Sequence, residues 1–304
     1  MKTDKEITII GATGNLGLPV TNHLLRAGYK VKAVVRNLKK AEKYFEKENN
    51  IQMVYGDLAD TESLEKALED TGYLYLNLST MTTDVNVPFA NEREGVENIL
   101  KAVNRERIRQ ILAISGLGAF QKNIVPEKDM FVPNIIRMQG HELLRQSGIP
   151  YTILHCTWFM DSFTIYLRND TYSVIGSNDH PIYFISASDY ADQLIRAIGN
   201  PGAFNKDYPI QGKEGLPHKE AAEEFFRIYS PEIKVKKLPG GILRIMALFN
   251  DQLKVVTAMD RYFRRYKEEF LAQSHGTYKD LGEPKLSLQQ YAEKLKAEKA
   301  SQEI

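Results

Sequence analysis

Short apolar runs and helical patterns alternate along the first half of the chain. Residues 7–10 form a β-branched run that ends at Gly11, and apolar residues at helical spacing follow between Leu16 and Leu25. The same order recurs, with strands predicted at 31–35, 51–55, 73–78, 110–114 and 151–155 and helices at 38–49, 61–69, 91–106 and 134–147. This alternation predicts a parallel, doubly wound α/β sheet with helices on both faces.

The pattern changes after residue 156. An aromatic-rich stretch runs from Trp158 to Tyr172, and the later elements are strands at 182–185 and 208–210 and helices at 189–198, 218–229, 242–273 (broken) and 287–298. These elements predict a smaller C-terminal α/β substrate lobe. The expected division is a core over 1–157, completed by 187–212, and a substrate or partner lobe over 158–186 and 213–304.

Composition and charge narrow the classes of function. The chain has 40 Lys and Arg against 39 Asp and Glu, a formal net charge of +1, so it lacks the basic field of a non-specific nucleic-acid or membrane binder. Its single cysteine, Cys156, excludes an internal disulfide and a thiolate zinc cluster and fits a reducing, cytoplasmic compartment. The histidines show no metal-binding spacing, so no metal is expected. No transmembrane helix or secretory signal is readable.

One basic cluster needs separate consideration because it lies on a predicted helix. It consists of Arg261, Arg264, Arg265 and Lys267, and acidic residues follow at once. A solvated or interface helix is therefore favoured over a nucleic-acid surface. The expected partner is a small-molecule substrate or a regulatory protein.

A glycine-rich segment between the first strand and the first helix carries the sharpest chemical signal. It reads Gly11-Ala12-Thr13-Gly14-Asn15-Leu16-Gly17, and we call it the glycine loop. In this position the first glycine permits a tight turn, the second lets the backbone approach a pyrophosphate, and the third allows the helix to pack closely on the strand. The helix N-terminus adds free N–H groups and a positive dipole. Dinucleotide binding is predicted, and the alternative is a structural turn without a ligand.

The residue at the end of the second strand indicates which dinucleotide is bound. An NAD site usually has a carboxylate here for the ribose hydroxyls, but this chain has Arg36. A guanidinium can stack on adenine and pair with a 2′-phosphate. NADP(H) is therefore predicted in preference to NAD(H), and a solvated arginine is the alternative.

Polar residues end the next strands at the same edge of the predicted sheet. Asp57, with Leu58 beside it, could accept the adenine amine or start a turn. The backbone of residues 77–79 (Asn77, Leu78, Ser79) is expected along the nicotinamide ribose. Ser115 could bind a substrate carbonyl or form a turn before Gly116.

Together with residues 115–119, 147–152 (S-G-I-P-Y-T) and 188–192, these motifs resemble the NmrA-like branch of atypical short-chain dehydrogenases/reductases over residues 5–240. The resemblance implies an NADP(H)-binding Rossmann core and a small C-terminal substrate lobe. Members of that branch include NADPH-dependent reductases of quinones or phenylpropanoid-type compounds and non-enzymatic redox-sensing regulators.

The chain departs from the wider family at its proton relay. Typical short-chain dehydrogenases use Tyr-x-x-x-Lys on the helix before S-G-I-P-Y-T, where this chain has Pro133 and Arg137. Proline has no hydroxyl, and arginine does not give up its proton at neutral pH. Arg137 could still bind ribose or phosphate; a solvated helix face is the alternative.

The strand after S-G-I-P-Y-T carries further candidates. His155 could donate a proton or be a buried structural histidine, and Cys156 is expected to be a small buried residue because neighbouring strand residues face opposite sides. Trp158, Phe159 and Phe163, with Tyr166, could form an aromatic substrate wall or pack in the core.

Three functions follow from these residues. The favoured function is an NADPH-dependent reductase of a small apolar carbonyl or quinone, with Ser115, Arg137 and His155 as candidate catalytic residues. The alternative is a non-catalytic NADP(H)-sensing regulator acting through a protein partner. A nucleotide-sugar epimerase ranks third because it normally needs the tyrosine relay. The substrate and the oligomeric state do not follow from the sequence.

Overall fold

The computed structural model describes residues 5–46, 48–120, 130–175, 179–238, 240–267 and 269–302. The strands are β1 (Glu6–Ile10), β2 (Lys30–Val35), β3 (Ile51–Tyr55), β4 (Tyr73–Leu76), β5 (Gln110–Gly116), β6 (Tyr151–Cys156), β7 (Thr171–Ile175), β8 (Lys206–Ile210) and β9 (Lys234–Leu238). The first helices are α1 (Gly17–Arg26), α2 (Leu38–Phe45), α3 (Thr61–Leu68), α4 (Glu94–Ala102), α5 (Val132–Gln146) and α6 (Ser162–Ile165). The later helices are α7 (Ala187–Ala197), α8 (His218–Tyr229), α9 (Gly240–Ala247), α10 (Asp251–Arg265), α11 (Leu271–Leu281) and α12 (Leu288–Gln302).

Seven parallel strands form the main sheet, in the order β3-β2-β1-β4-β5-β6-β8. The predicted doubly wound α/β fold is confirmed. The chain moves outwards from β1 in one direction to β3 and then returns to β4 on the other side of β1. The crevice beyond the carboxyl ends of β1 and β4 is therefore the topological switch point, where such sheets bind ligands.

Two apolar layers hold helices on the two faces of this sheet. Alternate strand residues face opposite sides, so Ile9 packs in the layer under α1, α2 and α7, whereas Ile10 packs in the layer under α3, α4 and α5. Both residues are buried, as expected for a parallel sheet covered on both faces. Strand β8 extends the main sheet, and α7 packs against α1.

The remaining C-terminal elements pack around a third apolar cluster. Helices α8 and α12 lie against each other, and β7 and β9 form a separate two-stranded parallel sheet. An aromatic group fills the space between them, with Phe163 stacked on Phe225 at a centroid distance of 4.9 Å.

The structure corrects two sequence-based expectations in this region. No regular strand occupies 182–185; Ile182 and Ile185 each make only an isolated bridge, to Leu216 and Phe159. The regular strands are β7 and β9, which sequence reasoning missed because their partners lie about sixty residues apart and β9 is rich in lysine.

The broken helix predicted at 242–273 consists of α9, α10 and the start of α11, and Asn250 begins α10 by accepting hydrogen bonds from the backbone N–H groups of Gln252 and Leu253.

His218, at the start of α8, makes the C-terminal lobe sensitive to acid. Burial among aromatic rings lowers its pKa from 6.5 to about 4, and its Nε2 lies 3.0 Å from the Tyr172 hydroxyl. Between these two pKa values the unfolded chain binds a proton that the folded chain does not, so stability falls as the pH drops below 6.5. We expect His218→Phe to remove about 1 to 2 kcal/mol of the loss in unfolding free energy between roughly pH 7 and pH 5. Urea denaturation of both chains at the two pH values measures this; equal losses would contradict it.

Candidate functional site

The glycine loop lies at the switch point, and two of its glycines are required by close backbone contacts. Gly11 has φ +93°, and a Cβ there would lie 2.1 Å from the backbone oxygen of Asn77. A Cβ on Gly17 would lie 2.0 Å from the backbone oxygen of Gly11. The first glycine therefore makes the turn beside β4, and the third lets α1 start directly against it.

Gly14 differs from these two glycines because it is exposed. The nearest atom to a Cβ at Gly14 is the Gly11 carbonyl oxygen at 3.3 Å, and the Gly14 amide already donates to that oxygen. Thr13 and Leu16 are partly buried, and Asn15 is exposed. The loop thus presents an open surface of backbone to the crevice, as an approaching pyrophosphate requires.

The N-terminus of α1 is suited to an anion. Leu16 occupies the N-cap position and offers no side-chain hydrogen bond, and the first turn contains no acidic residue. The amide groups of this turn therefore keep their positive partial charge without a carboxylate from the described part of the helix.

Asn77 follows β4 and reaches the glycine loop from the other side of the switch point. Its amide donates to the Ile10 carbonyl, which fixes its backbone beside Gly11. Its Nδ2 atom is buried and has no hydrogen-bond partner among the described residues. A buried donor without an acceptor is costly unless a ligand satisfies it. Leu78 is partly buried and Ser79 is exposed at the same edge.

Arg36 stands beyond the end of β2, on the far side of the glycine loop from Asn77. Its side chain is exposed and forms no ion pair with any residue in the described ranges, while Asn37 caps α2 by accepting the Lys40 amide at 2.9 Å. A free guanidinium at this position can meet a phosphate beside the adenine ribose.

The third-strand candidates have local structural contacts. Asp57 Oδ1 accepts the Ala59 amide at 3.0 Å, which is the turn-forming alternative that the sequence left open. Leu58 packs on α4, where a Cβ at Gly95 would lie 3.2 Å from its side chain. The structure therefore provides Asp57 and Leu58 with partners in the protein itself.

A buried carboxylate that sequence reasoning missed, Glu92, organises the other side of the crevice. Its Oε2 accepts the Thr80 amide at 2.6 Å, and its Oε1 accepts Arg137 Nε at 2.7 Å. The side chains of Glu92 and Arg137 are only 8% and 19% exposed, so the expected solvated face does not describe Arg137. This ion pair ties the segment after β4 to α5. In the sequence, Glu92 is an acidic residue just before a predicted helix. Acidic residues at that position are too common to indicate a buried ion pair.

Arg137 also lies over the end of β5. Its Nη1 donates to Asn134 Oδ1 at 3.1 Å and would be 3.1 Å from a Cβ on Gly116. Pro133, at the tyrosine position of typical relatives, is a buried residue of the first turn of α5. The Arg137 cation therefore lies at the edge of the sheet, whereas Pro133, at the tyrosine position, begins α5.

Ser115 and His155 are neighbours in β5 and β6, but the structure gives them different surroundings. Ser115 Oγ is buried without a hydrogen-bond partner among described residues, at the sheet edge where Arg137 lies. His155 is fully buried, with Nε2 2.9 Å from Asp207 Oδ1 and Nδ1 3.4 Å from the Gly116 carbonyl oxygen. Its contacts are those of the structural alternative.

Two side chains, His155 and Arg145, contact the carboxylate of Asp207. Burial alone would raise its pKa, but the hydrogen bond to His155 and the charge of Arg145, whose Nη2 is 2.7 Å away, lower it below the ordinary value. The carboxylate therefore stays charged and fixes the His155 ring. Cys156 is buried and its thiol donates to the Ser115 carbonyl at 3.1 Å.

The aromatic residues after β6 divide between core and lobe surface. Phe159 packs on Tyr190, and Phe163 lies in the third cluster; both are buried. Trp158 is partly buried, 5.7 Å from the Phe263 ring of α10, and Tyr166 is 50% exposed. Core packing, the alternative left open by the sequence, describes Phe159 and Phe163.

A cleft of about 580 Å³ opens beside the segment after β4. Its walls come from Thr82 and Thr83, from residues 130–132 before α5, and from α9 and α10. Its volume suits a small organic molecule. Within the described ranges there is no group of three potential metal ligands and no helix long and apolar enough to cross a membrane.

Comparison with known proteins agrees with this arrangement. The model of a family described as NAD(P)H-binding matches residues 11–201, which include the glycine loop and five of the seven strands of the main sheet, β2 to β6.

Sequence relatives and solved structures cover most of the chain. The Photosystem II assembly factor Ycf39 of Synechocystis sp. is 27% identical over 248 residues, 80% of this chain and 73% of that protein. The NAD(P)H azoreductase of Xenophilus azovorans is 23% identical over 221 residues, 71% of each chain. The NADPH complex of the quinone oxidoreductase QOR2 from Escherichia coli shares the fold, with a TM-score of 0.68, 22% identity, and coverage of 95% of this chain and 99% of that one.

Proposed function

The chain belongs to the NAD(P)H-binding family, which confirms its sequence-based recognition as an NmrA-like protein, and we propose that it is an NADPH-dependent reductase of a small apolar carbonyl or quinone. The observation that carries the proposal is the crevice at the switch point. There the open backbone of the glycine loop lies beside Asn77, and two polar atoms at the ends of β4 and β5, Asn77 Nδ2 and Ser115 Oγ, are buried without a hydrogen-bond partner among the described residues. A dinucleotide satisfies such groups, whereas an empty structural turn leaves them costly.

Separate groups of residues suit separate parts of the cofactor. The glycine loop and the start of α1 would hold the pyrophosphate, Arg36 the adenosine phosphate, and Asn77 and Arg137 the nicotinamide ribose. When bound, the cofactor supplies a hydride to the substrate. Glu92 holds Arg137 in position by the 2.7 Å contact, so the cation does not need to reorganise when ribose or phosphate arrives.

The missing tyrosine restricts the substrate. Reduction of a carbonyl to an alcohol or of a quinone to a hydroquinone consumes one hydride and one proton. Pro133 has no proton to give, and His155 is fully buried against Asp207. A quinone is the better substrate because its reduced oxyanion is a stabilised phenolate that can take its proton from water. A quinone oxidoreductase of the same fold and an azoreductase among the relatives are consistent with this chemistry.

The first experiment titrates the protein with NADPH and with NADH by calorimetry and repeats both titrations with Arg36→Ala. We expect NADPH to bind at least about tenfold tighter, because the Arg36 guanidinium pairs with the 2′-phosphate, a difference of about 1.4 kcal/mol. Arg36→Ala is expected to remove that preference and to leave NADH binding nearly unchanged. Lys39→Ala, on the exposed first turn of α2, is the matched control. If neither nucleotide binds, the reductase proposal fails.

A non-catalytic NADP(H)-sensing regulator is the second proposal, and the replacement of the tyrosine and lysine by Pro133 and Arg137 favours it. Among the relatives, a Photosystem II assembly factor is named for assembly rather than for a reaction. A regulator would bind NADPH and capture a protein partner without consuming NADPH with any quinone or carbonyl. Steady loss of NADPH absorbance with a quinone would exclude a purely non-catalytic role. We place either function in a reducing compartment, the cytoplasm, because a chain with a single cysteine forms no internal disulfide.

A further inference from the structure

The cleft formed by residues 82–83, residues 130–132 and helices α9 and α10 concentrates positive charge. Its described lining includes four basic side chains and no acidic one: Arg244, Lys254, Arg261 and Arg265. The chain as a whole is nearly neutral, with a formal net charge of +1, so this concentration of positive charge is local. It includes Arg261 and Arg265 of the basic cluster that the sequence places on a helix.

Two of these side chains are available to a ligand. Lys254 already pairs with Asp251 at 2.8 Å. Arg244 and Arg261 form no ion pair with any residue that the structure describes, and both are exposed at the cleft. The nearest acidic residue in sequence to Arg261, Asp260, is buried and pairs with Arg264 at 2.8 Å. Among the described residues, the guanidinium groups of Arg244 and Arg261 therefore have no counter-charge.

Besides three threonines and Tyr262, the rest of the cleft wall is apolar. Met130, Phe131 and Val132 line one side, and Ala247, Leu248 and Ala258 line the other. The Phe131 ring lies 6.2 Å from the Tyr262 ring, so aromatic groups from α5's entry and from α10 meet at the cleft. An apolar wall with two cations suits a ring system that carries an acidic group.

The cleft is lined by the segment that leaves β4 and the segment that begins α5, and not by the segments that carry the glycine loop and Arg36. Thr82 and Thr83 continue the segment that leaves β4, and residues 130–132 lead into α5, which carries Arg137. The glycine loop and Arg36 belong to β1 and β2, on the other side of the switch point. The basic residues of the cleft are thus separate from those expected to bind the cofactor's phosphates.

We infer that this cleft binds an anionic substrate, a planar apolar quinone-type compound bearing a carboxylate or sulfonate, with Arg244 and Arg261 pairing with the acidic group. This inference deepens the proposed reductase function by naming the substrate class. Apolar residues 130–132 and α9 contact the ring, and the arginines distinguish the anionic compound from its neutral analogue.

The test compares 1,4-naphthoquinone-2-sulfonate with neutral 1,4-naphthoquinone, titrated by calorimetry into protein saturated with NADP⁺. We expect the sulfonate to bind at least about tenfold tighter, because it adds charge-assisted pairing to the same ring contacts. The double variant Arg244→Gln/Arg261→Gln is expected to reduce the ratio to less than about twofold, with the neutral quinone little changed. Raising the salt concentration should weaken sulfonate binding to the unmodified chain only.

The control is Arg227→Gln, an exposed arginine on α8 that does not line the cleft. It should leave both affinities unchanged. Equal binding of the two quinones, absence of sulfonate binding, or an unchanged ratio in the double variant would overturn the inference.

A parallel NADPH titration separates this inference from the proposed function. NADPH binding and turnover of the neutral quinone without any preference for the sulfonate would leave the reductase proposal intact and reject the anionic substrate. Arginine-dependent sulfonate binding by a protein that does not bind NADPH would reject the reductase and retain the anion site.

Discussion

Gly11→Ala is expected to lower the free energy of unfolding by about 3 kcal/mol and to abolish measurable NADPH binding. The glycine has φ +93°, and the new Cβ would lie 2.1 Å from the Asn77 backbone oxygen. A side-chain rotation can relieve neither the positive φ nor the clash with the Asn77 oxygen. The end of β1 and the segment after β4 must therefore separate at the point where the cofactor is expected to bind. Urea denaturation and calorimetric titration measure the two effects.

Gly14→Ala and Gly276→Ala make this prediction specific. Gly14 is exposed and its Cβ would meet only the Gly11 carbonyl oxygen at 3.3 Å, so the variant is expected to fold and still to bind NADPH at least about tenfold more weakly. Gly276 lies within α11 with nothing within 4 Å of a Cβ, so alanine there should raise stability by up to about 1 kcal/mol and leave binding alone. Unchanged NADPH affinity in Gly14→Ala would show that the loop does not approach a pyrophosphate.

Glu92→Gln is expected to destabilise the protein by about 2 to 4 kcal/mol. The variant removes the carboxylate charge that pairs with the guanidinium of Arg137, a side chain only 19% exposed, while the Thr80 amide keeps an oxygen acceptor. Because Arg137 then loses its fixed position over Gly116, NADPH affinity should fall as well if Arg137 holds the ribose. Denaturation and NADPH titration at the same ionic strength measure the two losses.

The matched control is Glu97→Gln on α4, the helix that follows Glu92. Glu97 pairs with Lys101 at 2.8 Å, but both side chains are at least half exposed, so its loss should cost less than about 1 kcal/mol. The double variant Glu92→Gln/Arg137→Gln should be more stable than Glu92→Gln alone, because it removes the guanidinium charge as well. Equal stability of Glu92→Gln and Glu97→Gln would mean that the buried pair does not hold α5 to the sheet edge.

The sequence contained most of the information about the nucleotide-binding half. Continuous β-branched runs alternating with helical patterns predict parallel strands covered on both faces, and the structure has such a sheet. The glycine loop could be located from the sequence because the strand before it and the helix after it define its geometry. Helix α8 was predicted at 218–229 and is found at His218–Tyr229, since its apolar residues repeat at helical spacing.

Other elements depended on contacts between distant segments. Strands β7 and β9 pair only after α7, β8 and α8 have placed them side by side, and the lysines of β9 give no strand pattern. From the sequence alone, Phe163 could either line a substrate pocket or pack in the core. Its full burial against Phe225 follows from the docking of α8, which no local pattern encodes.

The sequence by itself determined the chemistry that local spacing can carry: the turn at Gly11, the exposed arginine after β2 and the absence of a tyrosine at position 133. Only the tertiary structure decided which charges meet. It buried Arg137 against Glu92, fixed His155 on Asp207, and left Arg244 and Arg261 facing a cleft without a counter-charge among the described residues. The physical reason is that hydrophobic periodicity specifies which face of an element is buried, whereas the partner of a buried charge is set by the packing of segments far apart in the chain.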